Sequence, residues 1–327
     1  MERLFREHPD REDFLAMTPD DLRAHAKRCT DDFMTAQLGG QENRPQRFLQ
    51  QFGRIAGRLY HLLRHTQDEM RQSQFTTDAC ELTIGQLGAE SGIAPYTLSL
   101  SNGIILYLHG KIDRVDITGD AQTGEQYLRI VDYKTGLHKK EFKLANVYYG
   151  LNLQMLLYLF ALRKSGDPAL GDHPAPAGVQ YFPARVPYIT TDGSQDEKAL
   201  EKDRDAIWKR RGLLLHDEAV LQAMEPGENP RRMCYSVKKD GTYTGDLADR
   251  DQLKLLERYV FHTLKKLVED VASGNVTPNP YTRGSSHSAC AFCPYGSICH
   301  ETNVEERRNY KTMTSQRFWE EVGKEMR

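Results

Sequence analysis

The sequence predicts an α/β fold, and three observations carry the prediction. Apolar residues recur at helical spacing as far as residue 71, the pattern becomes strand-like between 104 and 133, and helical patterns return beyond 147. Composition agrees with a packed globular chain, because 39% of the 327 residues are hydrophobic and 28% are charged. No run approaches the roughly 20 apolar residues of a membrane-spanning helix, so no membrane association is expected. The first residues, Met1-Glu2-Arg3-Leu4-Phe5-Arg6-Glu7-His8, are charged from the start and lack an apolar segment followed by a cleavage site. That argues against secretion and for a cytoplasmic location. The net charge of −2 supplies no global field that would announce a polyanionic partner. Contact with nucleic acid must therefore rest on local patches. The phosphate-binding pattern G-x-x-x-x-G-K-[ST] is absent, so any ATP-driven motor belongs to another chain or domain.

The elements follow in order. Thr18-Pro19-Asp20-Asp21 reads as a helix start, with a capping hydroxyl, proline in the first turn and acids at the positive end of the helix dipole. A longer helix is predicted over 45–71 from the spacing of Phe48, Phe52, Ile55, Leu59, Leu62 and Leu63. Its basic stripe, Arg47, Arg54, Arg58, His61 and His65, is read first as a solvated face, with phosphate tracking as the alternative. Strands are predicted over 104–109, 111–117 and 126–133, separated by glycine-containing turns. An apolar helix over 147–162, a loop over 166–176 and a strand over 178–182 come next. A charged helix is placed at 195–211 and a loop at 226–232. The segment 251–272 has Leu253, Leu256, Val260, Leu264, Leu267 and Val271 on one face and Gly274 as its stop. A cysteine-rich loop and a helical tail containing Trp319 end the chain.

Chemistry concentrates in two adjacent strands, Gly110-Lys111-Ile112-Asp113-Arg114-Val115-Asp116 and Ile130-Val131-Asp132-Tyr133-Lys134-Thr135-Gly136. Side chains alternate along a strand, so Asp132 and Lys134 share a face that Leu128 and Ile130 continue into the core. A charged pair at the end of an apolar strand is costly unless something compensates it, and a metal ion would do so. Asp113 and Asp116 have opposite parity, so only one of them faces Asp132. Parity does not say which, and Asp113 is chosen because its setting, Gly-x-Ile-Asp, fits the resemblance given below, while Asp116 is expected to pair with Arg114 or a neighbour. Two carboxylates suit Mg²⁺, a hard cation that keeps several waters, and a nearby lysine can position the attacking water in phosphodiester hydrolysis. Gln154 and Tyr158, four apart on the apolar helix, share one face. Gln154 is expected to be buried with a partner, reaching the catalytic centre rather than serving only a core hydrogen bond. Glu81 begins a further strand and is a third carboxylate whose ordinary reading is structural. His138, Lys139, Lys140 and Lys143 follow the Asp-Tyr-Lys run, where they could hold a DNA backbone.

Of six cysteines, Cys290, Cys293 and Cys299 crowd into one loop. Without an export signal, metal binding is a better reading than disulfides. Three thiolates complete neither a tetrahedral zinc site nor a four-cysteine iron–sulfur cluster. His287 or His300 would be the substitutes for a zinc site.

Together these residues resemble the RecB-like nucleases of the PD-(D/E)XK type, and more closely the C-terminal nuclease domain of AddB-type components of helicase–nucleases. The matching segments are 110–116, 130–136, 147–158, 176–182 and 290–299. The resemblance implies a mixed central sheet flanked by helices, with a helical part at 1–78, a nuclease core at 79–300 and a helical tail at 301–327. It also implies Mg²⁺-dependent cleavage of DNA unwound by an AddA-like helicase partner, in double-strand-break repair by recombination. Asp113 and Asp132 become metal ligands and Lys134 the catalytic lysine, while Gln154 and Tyr158 form the helix motif that follows. The three cysteines become part of a 4Fe-4S staple whose fourth ligand lies upstream of this chain in the family, so the cluster is expected in the intact protein. Two rivals stand beside this reading: a non-catalytic module that binds DNA or a partner, and a stand-alone nuclease of the CRISPR-adaptation type. The latter are shorter and lack the insertion between 183 and 281.

Overall fold

The computed structural model describes residues 1–85, 92–100, 103–136, 142–166, 173–184, 193, 196–283, 287–299 and 307–327. Four helices open the chain, α1 (Glu2–Glu7), α2 (Arg11–Ala16), α3 (Pro19–Leu38) and α4 (Gln46–Met70). Six strands follow: β1 (Thr76–Ile84), β2 (Gly92–Ile93), β3 (Tyr96–Ser99), β4 (Ile105–Leu108), β5 (Gly110–Gly119) and β6 (Gln126–Lys134). Then come α5 (Leu144–Tyr148), α6 (Gln154–Ser165), β7 (Ala175–Pro183), α7 (Glu197–Trp208), β8 (Arg211–Leu215) and α8 (Glu218–Met224). The remainder is β9 (Tyr235–Val237), β10 (Tyr243–Gly245), β11 (Leu247–Ala248), α9 (Arg250–Ala272), β12 (Tyr281–Arg283), β13 (His287–Ser288), α10 (Gly296–Cys299), β14 (Arg308–Asn309) and α11 (Ser315–Glu325).

The chain forms two compact units. The first comprises Met1–Tyr96, His109–Glu141 and Tyr158–Arg250. Its centre is a seven-stranded sheet in the order β11-β8-β7-β6-β5-β1-β2. The sheet is mixed: β1-β5, β5-β6 and β7-β8 are antiparallel, while β6-β7, β1-β2 and β8-β11 are parallel. The fold is thus α/β with a mixed sheet and flanking helices, as the sequence implied. Helix α3 starts where expected. The Thr18 hydroxyl accepts from Asp21 N–H while the Asp21 carboxylate accepts from Thr18 N–H, a reciprocal cap that satisfies two otherwise open donors. Leu22 and Ala26 of α3 pack with Leu63 and Met70 of α4, together with Leu4 and Phe14. The Gln67 amide donates to Phe14 O and Met17 O, at 2.9 Å each, and ties α4 to the corner between α2 and α3.

The second unit comprises Thr97–Leu108, Phe142–Leu157 and Asp251–Arg327. Within it, Leu253, Leu256 and Val260 of α9 and Phe318 and Val322 of α11 are buried. The Tyr259 hydroxyl donates to Tyr148 O at 2.7 Å.

Three expectations need correction. The predicted helix over 147–162 is two helices, α5 and α6. Gly150 and Asn152 between them adopt positive φ, 73° and 58°, which an α-helix cannot accommodate. The strand expected at 178–182 begins at Ala175, inside the predicted loop, because β6 offers it a parallel ladder from Tyr127↔Ala175 onward. The apolar face of α9 is buried only in its first half, and Leu267 and Val271 are exposed.

Candidate active site

Strands β5 and β6 pair from Gly119↔Gln126 up to Arg114↔Val131, and their ladder stops there. Beyond that point each strand keeps only its outer neighbour. β5 continues against β1 to Gly110↔Ile84, and β6 continues against β7 to Lys134↔Pro183. The two strands diverge, and the residues at the opening are Asp113, Asp132 and Lys134. Asp113 partly takes over the role of the ladder, because its Oδ2 accepts the Tyr133 backbone N–H at 2.8 Å. Leu128 and Ile130 are fully buried below the pair, so the alternation places the charges at the end of an apolar face.

Lys134 Nζ forms an ion pair with Asp132 Oδ2 and lies 5.3 Å from the centroid of the Tyr181 ring. That oxygen is buried, and although the ammonium is beside it, no donor is aligned for a hydrogen bond. For Asp113, burial pushes the carboxyl up, the Tyr133 N–H opposes this, and Asp132 and Glu81 push it further up while Lys134 pulls it down. Asp113 and Asp132 therefore feel one another as like charges. Two neighbouring carboxylates are a donor set that suits Mg²⁺, which needs only one or two carboxylates and keeps its waters. Among the described residues, no group of three or more His, Cys, Asp or Glu side chains is arranged to hold a metal ion.

Glu81 is placed more tellingly than sequence suggested. Cys80↔Arg114 and Leu82↔Ile112 bracket it beside Asp113, and its charge is among those that push the Asp113 carboxyl up. Its backbone has φ 55°, and its Oε2 pairs with Lys111 Nζ at 2.6 Å. A cleft of about 790 Å³ lies against α1, α3 and α4, lined by Arg3, Cys29, Ile55, Arg58, Glu81 and Tyr133 among others, and Asp113, Asp132 and Lys134 do not line it.

Tyr158 reaches the start of β5. A β-carbon at Gly110 would lie 2.1 Å from the Tyr158 hydroxyl oxygen, so a larger residue three positions before Asp113 would force the Tyr158 ring to move. Gln154 departs from expectation. It opens α6 and is exposed, while Met155, Leu156 and Leu157 of the same turn are buried. Asp116 pairs with Arg114 Nη2 at 2.8 Å, as expected. Sequence reasoning missed its other partner, Arg129, and the buried Glu69 and Arg210 beyond it. A clue was available, since Glu69 continues the buried face of α4 after Leu62, Leu63 and Thr66.

Lys139, Lys140, His138 and His300 lie outside the described residues, as does the side chain of His287. Lys143 is exposed at the N-cap of α5. On α4, Arg47, Arg54, Arg58 and His61 are exposed, whereas His65 stacks on Trp208 at 3.9 Å and leaves the stripe. Cys290, Cys293 and Cys299 are exposed free thiols, Cys234 is buried, and Cys29 and Cys80 are partly covered.

Comparison with known proteins agrees with this geometry. Residues 1–300 match the model of the PD-(D/E)XK nuclease superfamily. The chain belongs to that superfamily. Several PD-(D/E)XK relatives are named as the B component of an ATP-dependent helicase/deoxyribonuclease. One, from Thermoanaerobacter sp. (strain X514), is 34% identical over 266 residues, covering 79% of this chain and 22% of that protein. The protein of that name from Oceanobacillus iheyensis is 31% identical over 312 residues, 93% of this chain and 26% of its own length. The Bacillus anthracis protein is 29% identical over 338 residues, 99% of this chain and 28% of its own. The chain thus spans about a quarter of the length of these PD-(D/E)XK relatives.

Proposed function

We propose that this chain is a Mg²⁺-dependent deoxyribonuclease, the nuclease part of a helicase–nuclease complex. The observation that carries the reading is the diverging strand pair, which brings Asp113, Asp132 and Lys134 together at one opening. Asp113 and Asp132 would hold the cation, which when bound supplies charge neutralisation at the phosphate and a more acidic water. The Tyr133 N–H orients Asp113 by its hydrogen bond. Lys134 is the cationic group that faces the scissile phosphate, where it stabilises developing negative charge and positions water. Tyr158 completes the proposed set, packed on the glycine that starts the Asp113 strand.

The names of the relatives support the coarser context. In that context the chain corresponds to the C-terminal part of an AddB-type protein, works in the cytoplasm with an AddA-like helicase, and trims unwound DNA ends during recombinational repair. No helix among the described residues is long and apolar enough to cross a membrane. Lys139, Lys140 and Lys143 are the proposed backbone contacts for DNA. Cys290, Cys293 and Cys299 would supply three ligands of a 4Fe-4S cluster in the intact protein. As arranged here the exposed thiols do not form a ligand set, and no catalytic step depends on them.

Digestion of linear single-stranded DNA in Mg²⁺, with EDTA as control, tests the reading on the chain and on Asp132→Ala. The expected result is Mg²⁺-dependent loss of DNA that slows by about 10²-fold or more in the variant. Cleavage by Asp132→Ala at the unmutated rate overturns it.

A further inference from the structure

On the sheet face opposite the acid pair, five charged side chains are sealed together. Glu69 of α4, Arg114 and Asp116 of β5, Arg129 of β6 and Arg210 just ahead of β8 are each at most 2% exposed. Asp116 Oδ2 accepts from Arg114 Nη2 and Arg129 Nε, both at 2.8 Å. Glu69 accepts from Arg129 Nη2 at 2.8 Å and from Arg210 Nη2 at 2.5 Å, and lies 3.6 Å from Arg114 Nη2. Three guanidiniums face two carboxylates, and the buried Arg129 Nη1 and Arg210 Nε have no hydrogen-bond partner. Such a cluster is a poor device for stability alone, since a well-packed apolar plug commonly does as well.

Its outlet is Tyr133. The remaining arm of the Arg114 fork, Nη1, donates to the Tyr133 hydroxyl at 3.1 Å. Tyr133 stands between Asp132 and Lys134, and its backbone N–H holds Asp113. One residue, gripped through its ring on one face, therefore sets the backbone that aims all three charged groups on the other. We propose that the buried cluster acts through Tyr133 as a positioning device, and that Tyr133 is a positioning residue for divalent-cation binding by Asp113 and Asp132. The proposal rests on the metal-dependent nuclease reading.

The informative variant is Tyr133→Phe, which keeps the ring against Phe182, 5.3 Å away between centroids, and removes only the hydroxyl. Glu69→Gln would leave three buried guanidiniums facing a single carboxylate and is expected to unfold the unit. Mg²⁺ binding is measured by calorimetry without DNA on the unmutated chain, Tyr133→Phe and Asp132→Ala, alongside melting temperatures. The expected result is a folded Tyr133→Phe that binds Mg²⁺ about 10-fold more weakly, the usual scale for loss of an outer contact to a metal ligand. Half-maximal cleavage should then need correspondingly more Mg²⁺ at an unchanged KM for DNA. Unchanged Mg²⁺ affinity in Tyr133→Phe, with Asp132→Ala unable to bind, overturns the positioning role and leaves the nuclease reading standing. An unmutated chain that binds no Mg²⁺ overturns both.

Discussion

A glycine three residues before Asp113 would pass for a turn residue, yet Gly110 lies within a strand and is closely covered by its neighbour. Tyr158 fills the space a side chain would need. Gly110→Ala should destabilise the fold by about 1–3 kcal/mol, the usual cost of overpacking, measured by urea denaturation. Combining it with Tyr158→Ala should recover part of that loss. Strictly additive losses would show that the two positions do not meet. At this scale the acid pair and the lysine were readable because strand alternation assigns each residue a face. Asp113 and Asp116 could be separated by parity for the same reason. The partners of Asp116 were harder to read, since the Glu69–Arg210 contact joins residues 141 apart in sequence. No local period encodes such a contact.

Among the elements, α4 bears most on pH. It carries His65, stacked on Trp208 of α7, and Glu69, the acid of the buried cluster. Burial, followed by the charge of Arg210, pushes His65 down to about 3 from an ordinary 6.5. The unfolded chain then takes up that proton first, so stability is full above pH 6.5 and falls as pH drops from 6.5 toward 3. Burial pushes Glu69 up, but Arg210, Arg129 and Arg114 outweigh it and hold the carboxyl well below its ordinary 4.5. Its contribution is lost in the same direction at lower pH. Asp113, raised by burial, works in the opposite sense. Urea midpoints should therefore fall between pH 7.5 and pH 5, and His65→Gln should flatten that upper part of the curve. A midpoint that rises on acidification over this range would contradict the assignment. The start of α3 was legible from its cap, α4 from its period, and α9 from its period and its stop at Gly274. The break between α5 and α6 was not, because Leu151 and Leu153 continue the apolar pattern across a turn made by Gly150 and Asn152. The extension of β7 was hidden for a different reason, since the parallel ladder on β6 that holds its first residues is non-local.

For the whole molecule, a net charge of −2 gives no hint of a polyanionic substrate. The functional reading comes instead from topology, since two strands of a mixed sheet part at Val131 and expose one cation and two acids. Membership of the PD-(D/E)XK superfamily agrees with that geometry. The central claim is that this opening performs phosphodiester hydrolysis, and Lys134→Ala tests it most directly because the variant leaves both carboxylates in place. Cleavage of linear single-stranded DNA in Mg²⁺ and binding of the same DNA in EDTA should be measured on the chain and the variant together. Cleavage that falls by about 10²-fold or more while DNA binding changes little is the predicted result. Equal cleavage by chain and variant would contradict the assignment of Lys134 and, with it, the catalytic role of the opening.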